Sequence, residues 1–158
     1  MLTYTLKGSA QITNGFNLEP LDNPEYPFDY KFMVKCTRCR AHRDKPIQVT
    51  RYEYFPVTQF VNANLVMKCK DCKSERYINV ERLEGKLESE STPIVRIVTH
   101  GLEILSFIAD DQFQCQNAEN ETVQEIDLSE GGWTDGEIAI RNVRWDVVLE
   151  RGQAALAL

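Results

Sequence analysis

Apolar and polar residues alternate along much of this chain, which is the pattern of β-strands that bury one face. The clearest alternating stretches are residues 2–7, 123–128 and 138–149. Runs rich in β-branched and aromatic residues, which favour strands, occupy residues 30–35, 46–54, 61–68, 77–80 and 94–100. A helical period of about 3.6 residues never lasts beyond two turns. We therefore predict an all-β fold of antiparallel sheets, packed as a sandwich or a partly closed barrel.

Proline-rich and charged segments separate these stretches. Three prolines between residues 19 and 27 predict a loop. Residues 81–92 are charged and serine-containing, and we take them as a candidate hinge. We predict a single β domain over residues 1–152, followed by a flexible tail over residues 153–158. The alternative is a domain built of two lobes, residues 1–86 and 87–152.

One short phrase, Lys-Cys-x-x-Cys followed by a basic residue, occurs twice in the chain. The two copies begin at Lys35 and Lys68, and each lies between two predicted strands, so a local repeat has an offset of 33 residues. Two thiols at this spacing on a tight turn can face one ion, and two such turns supply a tetrahedral zinc site. The predicted zinc ligands are Cys36, Cys39, Cys69 and Cys72.

Four thiolates fill the coordination sphere of Zn²⁺, so the predicted site stabilises the fold and does not catalyse a reaction. The 29 residues between Cys39 and Cys69 exceed the spacer of roughly 15 to 20 residues that is common between paired thiol turns. Two strands of a long hairpin fit within this spacer and would bring the turns side by side. Arg40 and Lys73 stand where zinc ribbons often carry glycine.

Other interpretations of the thiols are buried apolar cysteines, disulfides or a redox dithiol. Two matched phrases between strands are typical of none of these. His42 could replace a thiol as a ligand, but we expect it to be exposed or to lie behind the ligands. The basic residues of the phrases are expected to balance the negative charge of a zinc–tetrathiolate cluster. They are Lys35, Arg38, Arg40, Lys68, Lys70 and Lys73.

Charge is divided unevenly along the chain, whose formal net charge is −6. Residues 1–86 contain 14 Lys and Arg against 10 Asp and Glu, and residues 87–158 contain 4 against 14. The overall acidity argues against a general nucleic-acid binder. No apolar run approaches the roughly 18 residues of a membrane span, and we recognise no export signal. We expect a soluble, unsecreted, cytoplasmic protein, with the nucleus as the alternative, because metal-binding thiols need a reducing compartment.

Four further features could carry function. His100 is expected at a strand edge or turn. Residues 110–121 are polar and expected to be exposed, and Cys115 within them is expected to be a free, exposed thiol. Trp133, in a glycine-rich turn, is expected to plug the core, and otherwise to meet a partner. An acidic run is expected to be a solvated face, and otherwise a docking surface for a basic protein. The run comprises Glu119, Glu121, Glu125, Asp127 and Glu130.

The two thiol phrases, Gly101-Leu102-Glu103 after a β-rich run and Trp133-Thr134-Asp135 occur in an order that resembles the eukaryotic CXXC-motif-containing zinc-binding protein family. The resemblance extends from about Leu6 to about Glu150. It implies a cytosolic, eukaryotic protein of two packed or partly closed antiparallel sheets, with one zinc ion held by the four paired cysteines. It implies no established catalysis.

We interpret the chain as a monomeric, non-catalytic zinc protein that binds an unidentified protein partner. No nucleophile and base arrangement is visible, so we do not predict an enzyme. One alternative is a nucleic-acid binder that tracks phosphates with cations and stacks bases on aromatic rings. Its residues would be Arg38, Arg40, Arg43, Lys45, Lys70 and Lys73, with Tyr52, Tyr54 and Phe55. The other alternative is a zinc- or copper-handling factor, which would have to release its metal.

Overall fold

The computed structural model describes residues 1–150, which form fourteen β-strands and no helix. The strands are β1 (Leu2–Thr13), β2 (Gly15–Pro20), β3 (Tyr30–Cys36), β4 (Ile47–Val49), β5 (Phe55–Pro56), β6 (Asn62–Ala63), β7 (Leu65–Lys68), β8 (Glu75–Arg82), β9 (Thr92–His100), β10 (Leu102–Ile108), β11 (Phe113–Asn117), β12 (Thr122–Ile126), β13 (Trp133–Thr134) and β14 (Ala139–Leu149). The all-β prediction is confirmed. Among these residues, no helix exists that could cross a bilayer. The predicted tail over residues 153–158 lies outside the described residues.

Every strand pair is antiparallel. The largest sheet has the order β13-β14-β1-β9-β8-β7, and the smaller ones are β10-β3-β4, β12-β11-β2 and β5-β6. Together they form a curled half-barrel. Strands from both sides of residue 86 pair within the largest sheet, since β9 lies between β1 and β8. The candidate hinge is attached to the fold, because the Leu87 N–H donates to the Leu18 carbonyl at 2.8 Å.

The core lies on the inner faces of these sheets, where the alternation of the sequence places apolar side chains. In β3 every second residue is buried, from Tyr30 through Phe32 and Val34 to Cys36. An aromatic cluster fills the space between β3, β10, β11 and β14, with Phe107 and Phe113 both packed against Trp145 at 4.8 and 5.6 Å between ring centroids. Cys36 therefore ends a strand that is fixed by core packing.

The structure differs from the predicted strands in two places near the thiol turns. The run over residues 46–54 gives only the short strand β4, because the chain turns at Arg51, whose guanidinium pairs with Asp22 at 2.7 Å. The run over 61–68 is interrupted at Asn64. The Asn64 side chain accepts a hydrogen bond from the Val80 N–H and donates to the carbonyls of Arg51 and Glu53, so it points into the fold where the strand breaks.

The expectation that residues 110–121 are exposed is wrong for the middle of the segment. Residues 113–117 form β11, between β2 and β12, and Phe113 is fully buried. Cys115 was expected to be an exposed thiol, but it is 1% exposed. Its polar neighbours in sequence point to the opposite face of the strand, so composition concealed a two-residue alternation. Burial raises the pKa of the Cys115 thiol, which favours the neutral form.

Candidate metal centre

The two thiol turns have the same backbone structure. In the first turn, the Arg40 N–H donates to the Cys36 carbonyl at 3.0 Å, and the Cys36 N–H donates to the Ala41 carbonyl at 2.9 Å. The second turn repeats both bonds, from Lys73 to Cys69 and from Cys69 to Ser74, each at 3.0 Å. These bonds close each turn, so the predicted repeat exists as a repeat of local geometry.

Both turns reverse direction at a residue in the left-handed region. Arg40 has φ 66° and Lys73 has φ 61°, at the positions where we noted that zinc ribbons often carry glycine. A side chain at such a φ costs roughly 1–2 kcal/mol relative to glycine. The two turns therefore hold a strained backbone without the residue that would relieve it.

The two thiol turns are attached to strands of different sheets. Cys36 ends β3, which pairs with β10 through Cys36 and Leu102. Cys69 follows β7, at the end of the six-stranded sheet. The first turn is also tied to the start of β10, since the Thr37 N–H donates to the Gly101 carbonyl at 3.0 Å. The cysteines thus join the two sheets.

The four predicted cysteines form one cluster. Their Sγ atoms all lie within 4.8 Å of one another, and the turns approach most closely at Cys39–Cys69, 3.5 Å, and Cys36–Cys72, 3.8 Å. All four are free thiols. Tetrahedral zinc with Zn–S bonds of about 2.3 Å requires sulfur–sulfur separations of about 3.8 Å. The observed spacing and the all-sulfur donor set therefore fit a zinc ion.

The thiols of the cluster have unequal acidities. Burial raises the pKa of Cys36, but hydrogen bonds from the Cys39 N–H and the Arg76 guanidinium lower it by more, to about 6. The Ala41 N–H lowers the pKa of Cys39, but desolvation and the neighbouring sulfurs raise it by more, to about 11. Four adjacent thiolates repel one another, so a dication that replaces the protons removes this conflict.

Arg76 is the functional residue that sequence reasoning missed. Its Nη2 donates to Cys36 Sγ at 3.4 Å and to Cys72 Sγ at 4.0 Å, so one guanidinium contacts both turns. The residue is 7% exposed, and it lies against Gly101, where an added Cβ would come within 2.1 Å of the Arg76 Cδ. The alternation of β8 could have revealed Arg76, because it lies on the same buried face of the strand as Ile78 and Val80.

The histidines lie outside the cysteine cluster. Among the described residues, the cluster that could hold a metal contains only the four cysteines. His42 is exposed and its backbone bridges to Lys35. His100 is exposed at the end of β9 and stacks on Tyr77, with ring centroids 4.8 Å apart. The exposed His42 and the position of His100 at the end of β9 both agree with the predictions made for them.

The basic residues of the phrases have separate roles. Lys35 and Arg40 both approach the carboxylate of Glu103, at 3.4 and 3.9 Å, and Arg38 donates to the Ser74 hydroxyl of the opposite turn at 2.8 Å. Lys68, Lys70 and Lys73 are exposed. The cation in direct contact with the sulfurs is Arg76, and the expectation that the basic residues of the phrases balance the charge of the cluster stays a prediction.

The Trp133 loop and the acidic run lie on other parts of the surface. Trp133 is half-buried against the core and pairs with Ile140 in the sheet, as expected of a plug. All members of the acidic run are exposed, as expected of a solvated face.

Comparisons with known proteins agree with this structure. The family described as "CXXC motif containing zinc binding protein, eukaryotic" matches residues 5–147. A UPF0587 protein of Schizosaccharomyces pombe is 28% identical over 153 residues, covering 91% of this chain and 96% of that protein. A UPF0587 protein of Drosophila melanogaster is 29% identical over 143 residues, covering 85% and 86%.

Two solved structures share the fold. The crystal structure of C1orf123 superposes with a TM-score of 0.81 at 24% identity, covering 92% of this chain and 98% of that one. A hypothetical protein from Plasmodium falciparum superposes with a TM-score of 0.78 at 17% identity, covering 93% and 99%. The sequence match extends over almost the whole chain and includes both thiol turns. The chain therefore belongs to the eukaryotic family of CXXC-motif-containing zinc-binding proteins.

Proposed function

We propose that Cys36, Cys39, Cys69 and Cys72 hold one structural zinc ion that joins the two sheets of the fold. The observation that carries this proposal is the set of four Sγ atoms within 4.8 Å, contributed by two turns with matching backbone hydrogen bonds. Zinc would supply the positive charge that allows four thiolates to lie this close. Four sulfur ligands leave no open coordination position, so we propose a non-catalytic protein.

Metal analysis of the purified chain tests the structural role. We expect one equivalent of zinc, bound tightly enough that only a strong chelator removes it, and loss of tertiary structure on removal, followed by near-UV circular dichroism. Cys69→Ser should lose the metal, whereas Cys115→Ser, which changes a buried thiol outside the cluster, should retain it. A chain that keeps its native spectrum after the metal is stripped would refute a structural role.

We also propose that the protein docks a protein partner through the hairpin of β5 and β6. This hairpin exposes Tyr54, Phe55, Phe60 and Val61, and Phe60 is 88% exposed. The Asn64 side chain holds its base by donating to the carbonyls of Arg51 and Glu53. Aromatic side chains presented on an anchored hairpin are typical of interaction sites.

Crosslinking in cells tests this surface. Partners that depend on the hairpin should be lost with the double variant Tyr54→Ser/Phe60→Ser and retained with Phe16→Ser, which alters a side chain that is 43% exposed on β2. An identical set of partners for all three proteins would refute the hairpin as the docking site.

Three further expectations stay predictions. We propose a monomer, and we propose the cytosol or nucleus as its location because the five cysteines of the described structure are free thiols, which a reducing compartment preserves. Binding of nucleic acid predicts affinity that falls steeply with added salt. Metal handling predicts exchange of zinc with a competing apo-protein within minutes, and a slower exchange favours the structural role.

A further inference from the structure

A cavity of about 330 Å³ lies beside the metal centre. One side is formed by residues 41–45, which follow the first thiol turn, and another by residues 67–71, which lead into and form the second. Val34, Met67 and Leu102 contribute apolar surface. Cavities of about 300 Å³ and more with apolar surface and a few polar groups are typical of small-molecule sites.

Cations outnumber carboxylates around this cavity. Five lysine and arginine residues line it, against two aspartates and two of the proposed zinc ligands, Cys36 and Cys69. Arg43, Lys45, Lys68 and Lys70 form no salt bridge with any residue in the range 1–150. Arg76 is the cation that contacts the sulfurs of the metal centre. The other cations are therefore available to a ligand.

Two of the lining arginines carry a buried donor without an acceptor. The Nε atoms of Arg43 and Arg76 have no hydrogen-bond partner, and Arg76 is 7% exposed. Buried donors are nearly always satisfied in folded proteins. Both atoms expose almost no surface, and the Arg76 Nε lies against Gly101, so a ligand in the cavity would depend on the other cations that line it.

We propose that this cavity binds a phosphate group, either as inorganic phosphate or on a small phosphomonoester. A phosphate carries close to two negative charges at neutral pH and offers several acceptor oxygens. Arginine and lysine are its usual protein partners. A carboxylate has two oxygens and one charge, so it would satisfy fewer of these donors. The cavity forms where the two thiol turns meet, so this proposal rests on the proposed zinc site and not on the proposed protein partner.

Calorimetric titration of the zinc-loaded, full-length protein tests the proposal. The probes are inorganic phosphate, phenyl phosphate, benzoate and a short phosphoserine peptide. We expect saturable binding of one phosphate or phenyl phosphate per chain, weaker binding of benzoate, and amide NMR shifts confined to residues 41–45 and 67–76. A preference for phenyl phosphate over phosphate identifies an ester as the ligand, and the reverse preference identifies the free ion.

Matched charge variants locate the site. Arg43→Gln and Lys70→Gln should each weaken binding by about tenfold or more, as loss of a charged hydrogen bond does. Arg144→Gln removes the same charge from the exposed face of β14 and should leave binding unchanged. Lys70 is exposed, so its variant should fold even if that of Arg43 does not.

Three results would overturn the proposal. They are no saturable binding of either phosphate probe, equal weakening by Arg144→Gln and Lys70→Gln, and binding of the phosphopeptide alone. Zinc content is measured on the same samples. One equivalent of zinc without phosphate binding refutes the phosphate proposal and leaves the zinc proposal standing. Absence of zinc from the purified protein refutes the zinc proposal itself.

Discussion

Gly101 provides a direct test of how Arg76 supports the metal centre. Gly101 has φ +78°, and a Cβ at this position would lie 2.1 Å from the Arg76 Cδ and 2.5 Å from its Nε. Gly101→Ala therefore adds two effects. Backbone strain at this φ costs about 1–2 kcal/mol. Displacement of Arg76 removes its charged hydrogen bond to Cys36, which costs a further 1.5–3 kcal/mol or so.

The expected total is about 2.5–5 kcal/mol of lost unfolding free energy, measured by urea denaturation of the zinc-loaded protein. Gly131→Ala is the matched control, because Gly131 has φ +80° and nothing lies within 4 Å of its added Cβ. It should show only the strain. Zinc release to a chromogenic chelator should accelerate for Gly101→Ala and not for Gly131→Ala.

A double-mutant cycle isolates the contact. In an Arg76→Ala background, the cost of Gly101→Ala should fall to that of Gly131→Ala, because the side chain that the new Cβ displaces is gone. Equal costs for Gly101→Ala and Gly131→Ala in the wild-type background would show that displacing Arg76 loses no unfolding free energy. That result would refute a stabilising role for its hydrogen bond to Cys36.

Three further predictions concern the hydrogen bonds of Asp22, the positive-φ residues of the thiol turns and the phenol of Tyr30. Asp22→Ala should cost about 3–5 kcal/mol in urea denaturation, because this carboxylate, 1% exposed, accepts bonds from an arginine and a phenol; Asp111→Ala, an exposed control, should cost under about 0.5 kcal/mol. Arg40→Gly and Lys73→Gly should each raise the free energy of unfolding in urea by about 1 kcal/mol, since glycine relieves a positive φ that costs roughly 1–2 kcal/mol but makes the unfolded chain more flexible; a lower free energy of unfolding contradicts the strain. Burial and the adjacent carboxylate raise the pKa of Tyr30 above its ordinary value of 10.0, so its stabilisation is complete below that pH and is lost as the pH rises beyond it; Tyr30→Phe should flatten this alkaline loss in a pH series of unfolding midpoints, and an unchanged slope argues against it.

Local spacing made the metal centre predictable. Two thiols three residues apart must lie on one turn, and two such turns flanked by strand patterns have few ways to meet other than around one ion. The strand period could also have revealed Arg76, since it shares the buried face of β8 with Ile78. A charged residue was not expected at a buried position, because burial of an unpaired charge is costly. Cys36 of the opposite turn and Cys72 of the adjoining turn provide the partners, and the contact with Cys36 is not visible in the sequence.

Composition misled the prediction at Cys115. Its neighbours are amide-rich, but the residue is 1% exposed in β11, because only one of the two faces of that strand is polar. The strand over residues 46–54 was predicted too long for a related reason. Arg51 turns away to reach Asp22, a partner that lies 29 positions earlier in the chain.

The sequence by itself determined the all-β class, the four thiols and the two turns that carry them, because alternation and short spacing act between residues that are close along the chain. Tertiary structure decided which sheets the turns join, which cation faces the sulfurs, and that a cationic cavity opens between residues 41–45 and 67–71. Those features depend on strand pairing across long separations, such as that of β3 with β10. Such pairings are selected by the packing of the whole core, so no local pattern specifies them.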